Sequence, residues 1–241
     1  MELKGIILAG GKGTRLMPAT LVMNKHLIPV LNKPMILYPL ETLTKVFGIK
    51  EIMLISSGEH IGQFANFLGD GSAYGCSLTY RVQKDAGGIA QALGLARNFA
   101  DTSRSIVILG DNIFDNGQLA KDAGDFSPKD DACVFLKEVE DAHQFGVPTF
   151  SSDMAIDLIT EKPAHPSCNV AVVGLYSFPP DVFEIIKTLK PSQRGELEIT
   201  EVNNSYAKRG KLTHKILTGF WSDAGTQESL ARTTKWAFSN L

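Results

Sequence analysis

GIILAGGKGTRLMP, residues 5–18, is an apolar run followed by three glycines, a lysine, a threonine and an arginine where a core helix would ordinarily begin. The run ending at Leu8 has the composition of a strand buried on both faces. In open α/β sheets ligands bind beyond the carboxyl ends of the strands, so the turn that follows is a candidate binding element by position alone. Gly10, Gly11 and Gly13 permit positive φ and close approach to the backbone, and consecutive N–H groups can then point at phosphate oxygens. Arg15 adds a planar fork suited to phosphate. Leu16 stands where a dinucleotide-binding G-x-G-x-x-G would need its third glycine, and the G-x-x-x-x-G-K-[ST] order of a P-loop is absent. A tight turn with solvated Lys12 and Arg15 is the alternative.

Working outward, short apolar runs alternate with helical periods, the pattern of βα units around a doubly covered, largely parallel sheet. Strands are expected at residues 4–8, 51–56, 78–82, 105–109 and 132–139, and helices at 35–47, 60–68, 89–99 and 118–124. From about residue 145 the pattern changes to closely spaced strands at 147–150, 155–161 and 170–178, as in antiparallel additions. Helices are expected at 181–189, 200–209 and 226–238. No linker or repeat interrupts this order. The expectation is one domain over residues 1–241, with a first half of about 1–144 and an accessory second half of about 145–241.

The chain has 241 residues and a net charge of −2. That length permits burial of roughly 70 to 75% of the unfolded surface, and that charge offers no basic footprint for a nucleic acid polymer. The first residues lack the apolar length of a signal peptide or membrane span, which leads to the expectation of a cytoplasmic protein without a membrane partner. Cys76, Cys133 and Cys168 are widely spaced and predict neither a disulfide framework nor a thiolate metal site. His26, His60, His143, His165 and His214 lack metal-ligand spacing and read as scattered core or surface residues.

Two further strand ends carry acids. In VILGDNIF, residues 107–114, Asp111 and Asn112 emerge at the same sheet edge as the glycine turn, where a carboxylate can hold a nucleotide-borne Mg²⁺. In WSDAGT, residues 221–226, Asp223 precedes the last helix. Each could instead be a helix cap. Lys25, between the turn and Pro29, can reach the same phosphates or face solvent. Glu161 and Lys162 end a strand before Pro163, and an exposed ion pair is their plainer reading.

Taken together, LAGGKGTRLMPAT, NKHLIPVLNKPMI, FLGDG, AGGIAQAL, VILGDNIF, FGVPTF, ITEKP, VVGLYSF, RGELEITEVNNSY and WSDAGT occur in an order that resembles the sugar nucleotidylyltransferases, most closely the glucose-1-phosphate thymidylyltransferases. The resemblance spans nearly the whole chain. It implies a Rossmann-like nucleotidyltransferase fold of the α/β class, with a central mixed, mostly parallel sheet flanked by helices and an antiparallel sugar-binding part. It also implies an Mg²⁺-dependent reaction in which a hexose-1-phosphate attacks the α-phosphorus of dTTP and pyrophosphate leaves in line. A phosphate monoester is mostly dianionic at neutral pH, so the chemistry calls for cations that suppress repulsion rather than for a general base.

Residue by residue, the resemblance assigns Leu8, Gly10, Gly11, Gly13, Thr14 and Arg15 to the triphosphate, and Arg15 with Lys25 to charge developing at the α-phosphate and pyrophosphate. Gln83 and Gly88 fall to the pyrimidine base, and Asp111 with Asp223 to the metal. Asn112, Gly146, Glu161, Lys162, Val172 and Arg194 fall to the sugar phosphate. Phe145, Pro148, Thr149, Val170 and Val173 depart from the usual residues near the sugar. The C-terminal helical extension of longer relatives is expected to be lacking, the regulatory nucleotide site associated with it is expected to be absent or altered, and a homo-oligomer is expected by analogy. The alternatives are a UTP-using or dual-specificity enzyme, and a non-catalytic nucleotide-sugar-binding protein.

Overall fold

The computed structural model describes residues 2–124 and 131–240. Strand β1 (Leu3–Leu8) runs through the middle of a nine-stranded sheet and is sandwiched between two cores. Ile6 and Leu8 face one core and Ile7 the other, so an unbroken apolar run is what a strand covered on both faces requires. After the glycine turn come a hairpin, β2 (Pro29–Val30) with β3 (Lys33–Pro34), and helix α1 (Leu37–Glu41). The single helix expected over 35–47 is instead α1 followed by a wider π-type turn at Thr42–Val46, in which the Thr42 hydroxyl turns to Asn116.

Strands β4 (Glu51–Ser57) and β5 (Ser77–Gln83), with α2 (Ile61–Leu68) between them, extend the parallel region. The helix expected at 89–99 divides into α3 (Ile89–Gly94) and α4 (Arg97–Ala100). At the break the Leu95 and Ala96 N–H groups bond three residues back, to Ala92 and Leu93, which tightens the coil and restarts it. Strand β6 (Arg104–Leu109) then pairs in parallel with β1, giving the contiguous parallel order β6-β1-β4-β5.

The short strand β7 (Asn112–Phe114) and helix α5 (Asn116–Ala123) precede β8 (Ala132–Glu138), β9 (Gly146–Phe150), β10 (Ile156–Glu161) and β11 (Val170–Phe178). Strand β11 is antiparallel to β6, β8 and β9, which joins the antiparallel part to the parallel one within a single mixed sheet. Helices α6 (Val182–Thr188) and α7 (Ile199–Ala207) lead to β12 (Leu212–Ile216), β13 (Trp221–Asp223) and the closing helix α8 (Gln227–Ser239). Strand β12 was not expected from sequence. Its LTHKI mixes charge with apolar residues because it lies beside β8 alone, with little of it buried. Strands β7 and β13 form their own antiparallel ribbon, pairing Asp223 with Asn112. No helix among the described residues is long and apolar enough to cross a membrane.

Candidate active site

Beyond the carboxyl ends of β1, β5 and β6 lies a cavity of about 340 Å³. Leu8, Gly10, Gly11, Arg15, Gln83 and Gly88 form one end of its wall. Gly11 has φ 94° and Gly13 φ 64°, both in the left-handed region that glycine tolerates. Gly13 and Thr14 do not line the cavity. A side chain on Gly13 would strike Thr20 at 2.7 Å and Lys25 at 3.0 Å, so this glycine lets the turn close against the lysine-bearing segment. Gln91 Oε1 accepts from the Gly87 N–H and from Gln83 Nε2, at 2.8 Å for the latter, which leaves the Gln83 carbonyl oxygen turned toward Gly10.

Lys25 donates to Asp111 Oδ2 at 2.5 Å, and both side chains are largely buried. The neighbouring His26, expected to be a scattered histidine, is 1% exposed and lines the cavity. Asn24 Oδ1 accepts both the His26 N–H and the ring Nδ1–H, at 2.9 and 2.7 Å, which leaves the other ring nitrogen without a proton. Burial first, and then the Lys25 charge, push the His26 imidazole down to about 3 against the opposing pull of Asp111. The sequence carried no spacing or periodic signal for His26, whose position is set by these bonds to Asn24.

Neither acid caps a helix. Asp115 caps α5 by accepting the Gln118 N–H, and Thr226 caps α8 in a reciprocal box with Ser229. Asp111 and Asp223 are instead brought together by the β7–β13 ribbon, reinforced by the Ala224 N–H bonding the Asp111 carbonyl at 2.8 Å. A methyl group on Gly225 would sit 3.4 Å from Asp111 Oδ2 and 3.7 Å from an Arg15 guanidinium nitrogen, so Arg15 also converges here. Asn112 holds the arrangement: its Nδ2 donates to Asp111 Oδ1, and its Oδ1 accepts from the Gly174 N–H and from Trp221 Nε1.

Burial raises the Asp111 carboxyl, but Lys25 foremost, with His26 and the Asn112 bond, brings it well below the usual carboxylate range. Asp223 goes the other way. Burial and the negative charge of Asp111 push it up to about 6, against Arg15, Lys25 and Arg232. Among the described residues no group of three or more histidine, cysteine, aspartate or glutamate side chains is placed to hold a metal. The donor set is a carboxylate pair, one member of which burial and its neighbour's negative charge push toward its protonated form. A hard divalent cation that completes its shell with phosphate oxygens and water fits such a pair.

The other end of the cavity is lined by Asn112, Gly146, Glu161, Lys162 and Val172. Glu161 accepts the Thr200 hydroxyl at 2.5 Å, and the Lys162 N–H bonds the Phe145 carbonyl with Lys162 at φ 45°. Side chains two apart on β11 share a face, so Gly174 and Tyr176 join Val172 in the wall, a period-two signal available in the sequence. Burial, then the charges of Glu161 and Asp111, raise the Tyr176 phenol and keep it protonated. Arg194 is not in the wall. It lies largely exposed, gripping Glu198 and reaching Glu161 at 3.4 Å. Val173 points away into the opposite core, and Val170, Pro148 and Thr149 also lie outside the wall, whereas Phe145 is part of it.

Residues 4–237 match the family model described as nucleotidyl transferase. The chain is 43% identical over 233 residues to a glucose-1-phosphate thymidylyltransferase of Neisseria meningitidis, covering 95% of this chain and 80% of that protein. It is 42% identical over 231 residues to the enzyme of the same name from Mycobacterium tuberculosis, with the same coverage. A Bacillus anthracis structure assigned to the glucose-1-phosphate thymidylyltransferases, in complex with sucrose, superposes with TM-score 0.89 at 48% identity over 98% of this chain and 95% of that one. A UDP-glucose pyrophosphorylase bound to UDP-glucose has TM-score 0.85 at 24% identity over the whole of both chains, a likeness of fold.

Proposed function

The chain belongs to the nucleotidyl transferase family of enzymes, and we propose that it transfers a thymidylyl group from dTTP to glucose-1-phosphate, releasing pyrophosphate. The observation that carries this reading is the convergence of Arg15, Lys25, Asp111 and Asp223 in one cavity whose far end offers Glu161, Lys162 and the Gly146 backbone. Two anionic reactants repel one another, and fixed cations in a partly dry cleft lower that cost at the point of attack. The phosphate dianion of the sugar is itself the nucleophile, so the side chains orient it and need not take up a proton.

In this reading the Gly10–Gly11 backbone and Arg15 hold the triphosphate, and Lys25, staying beside Asp111, turns its remaining N–H groups to phosphate oxygens. Asp111 and Asp223 hold Mg²⁺, which when bound offsets charge on the nucleotide phosphates. The free Gln83 oxygen is an acceptor suited to the N3–H of thymine or uracil, and mismatched to the N3 acceptor of cytosine. Glu161 accepts from sugar hydroxyls, and Lys162 binds the sugar phosphate. Arg194 reaches that phosphate by releasing Glu198. The preference for dTTP over UTP and for glucose rests on the names of the relatives. A methyl group in an apolar pocket is worth only about 1 to 3 kcal/mol.

The test is pyrophosphate release across a matrix of nucleoside triphosphates and hexose-1-phosphates. The highest kcat/KM is expected for dTTP with glucose-1-phosphate. Preference for UTP would move the assignment to a uridylyltransferase, and tight nucleotide binding with no turnover anywhere in the matrix would overturn transfer itself. Replacement Lys25→Ala is expected to lower kcat about 10²- to 10³-fold, as for loss of one preorganised charge donor.

A further inference from the structure

Helix α7 presents two successive asparagines that are used in opposite ways. Asn204 is fully paired, accepting the Ile159 N–H at 2.8 Å and donating to the Ile159 carbonyl at 2.9 Å, and so fastens the helix to β10. Asn203 is 1% exposed and lines the cavity, yet its Oδ1 has no hydrogen-bond partner and its Nδ2 meets none among the described residues. One turn earlier on the same helical face, Thr200 holds Glu161. A buried acceptor left unpaired costs on the order of 1–3 kcal/mol, so an amide in this position calls for a group from outside the chain.

We propose that Asn203 is a further sugar-contacting residue, whose side-chain amide exchanges hydrogen bonds with a hydroxyl of the bound hexose. The inference rests on the transfer reading above and adds to it a specificity determinant on α7. The chemistry favours a neutral hydroxyl over phosphate. Ile199 and Val202 beside Asn203 are buried apolar residues, and an amide supplies one acceptor and two donors, matching a hydroxyl that both gives and receives.

The experiment compares wild type with Asn203→Leu, using dTTP with glucose-1-phosphate and its monodeoxy analogues. The leucine variant is expected to raise KM for the hexose phosphate about tenfold and to leave KM for dTTP within about twofold. One deoxy analogue, costing wild type about tenfold, is expected to cost the variant nothing further. Asn203→Ala, which adds no bulk, is read by the same criterion and decides the matter should the leucine variant fail to fold. Active wild type with every deoxy penalty retained in the variants would overturn this assignment alone, leaving a captive water as the partner of Asn203. Wild type inert toward all hexose-1-phosphates would overturn the transfer reading and this assignment with it.

Discussion

Beneath the glycine turn, charge is anchored by the backbone that carries it, because Lys25 sits in a turn fixed by Asn24 and Asp111 on a segment braced by Asn112 and the Ala224–Asp111 bond, whereas across the cavity Arg194 hangs from a surface loop. There the cation is shared among Glu161, Glu196 and Glu198 and faces water. The first arrangement is preorganised: its groups already lie where a triphosphate would need them. The second must reorganise before it can act. Phosphate chemistry gains most from charges that do not move at the moment of reaction, so the two ends are expected to respond very differently to substitution.

The largest effect is expected at the anchored end. Asp111→Asn should lower the rate of pyrophosphate release by about 10³-fold or more, with a native circular dichroism spectrum. A variant that kept full activity would erase the distinction between the two ends. Next comes the joint that holds the acids. Asn112→Ala leaves the Gly174 N–H and the Trp221 Nε1–H without their acceptor, and should cost about 2 to 4 kcal/mol in urea unfolding.

A smaller effect sharpens the same contrast through pH. The His26 pKa is lowered to about 3 in the folded protein, while the unfolded chain takes up a proton near the ordinary imidazole value of about 6.5. At this residue the unfolded state therefore binds more protons, and the His26 contribution to stability falls by about 2 kcal/mol between pH 7 and pH 5, while Asp223, raised to about 6, acts with the opposite sign over the same range. The stability difference between wild type and His26→Gln should therefore change by about 2 kcal/mol between pH 7 and pH 5, and a pH-independent difference would mean that this buried imidazole does not report on the anchored end. The smallest effect belongs to the loop. Arg194→Ala should raise KM for the sugar phosphate only about three- to tenfold and shift stability by less than about 1 kcal/mol, because exposed ion pairs contribute little.

The two ends also differed in how much of them could be read from sequence. The glycine turn, Lys25 and Asp111 lie at or beside strand ends, where an apolar run followed by Gly or Asp marks the binding edge, and of the residues assigned there to phosphate or metal all line the cavity except Gly13 and Thr14. The convergence of Asp111 with Asp223 was not derivable, since it depends on a ribbon of two three-residue strands too short for any periodic signal. His26 was passed over because a lone histidine carries no pattern, and its burial follows from the turn around Asn24. At the sugar end, Arg194 was assigned by motif, but its side chain is governed by the local pairing with Glu198. Asn203 and Asn204 could not be told apart, because which of them meets β10 depends on the helix's rotation.

The central claim is that Asp111 and Asp223 form one cation-binding pair serving the phosphates held by Arg15 and Lys25. Its most direct test is pyrophosphate release from dTTP and glucose-1-phosphate as a function of Mg²⁺ in wild type and in Asp223→Asn. The account predicts an absolute metal requirement in wild type and, in the variant, an activation curve displaced to about tenfold or more higher Mg²⁺ with a reduced plateau. Coincident activation curves for the two proteins, or full activity of wild type after chelation, would contradict it.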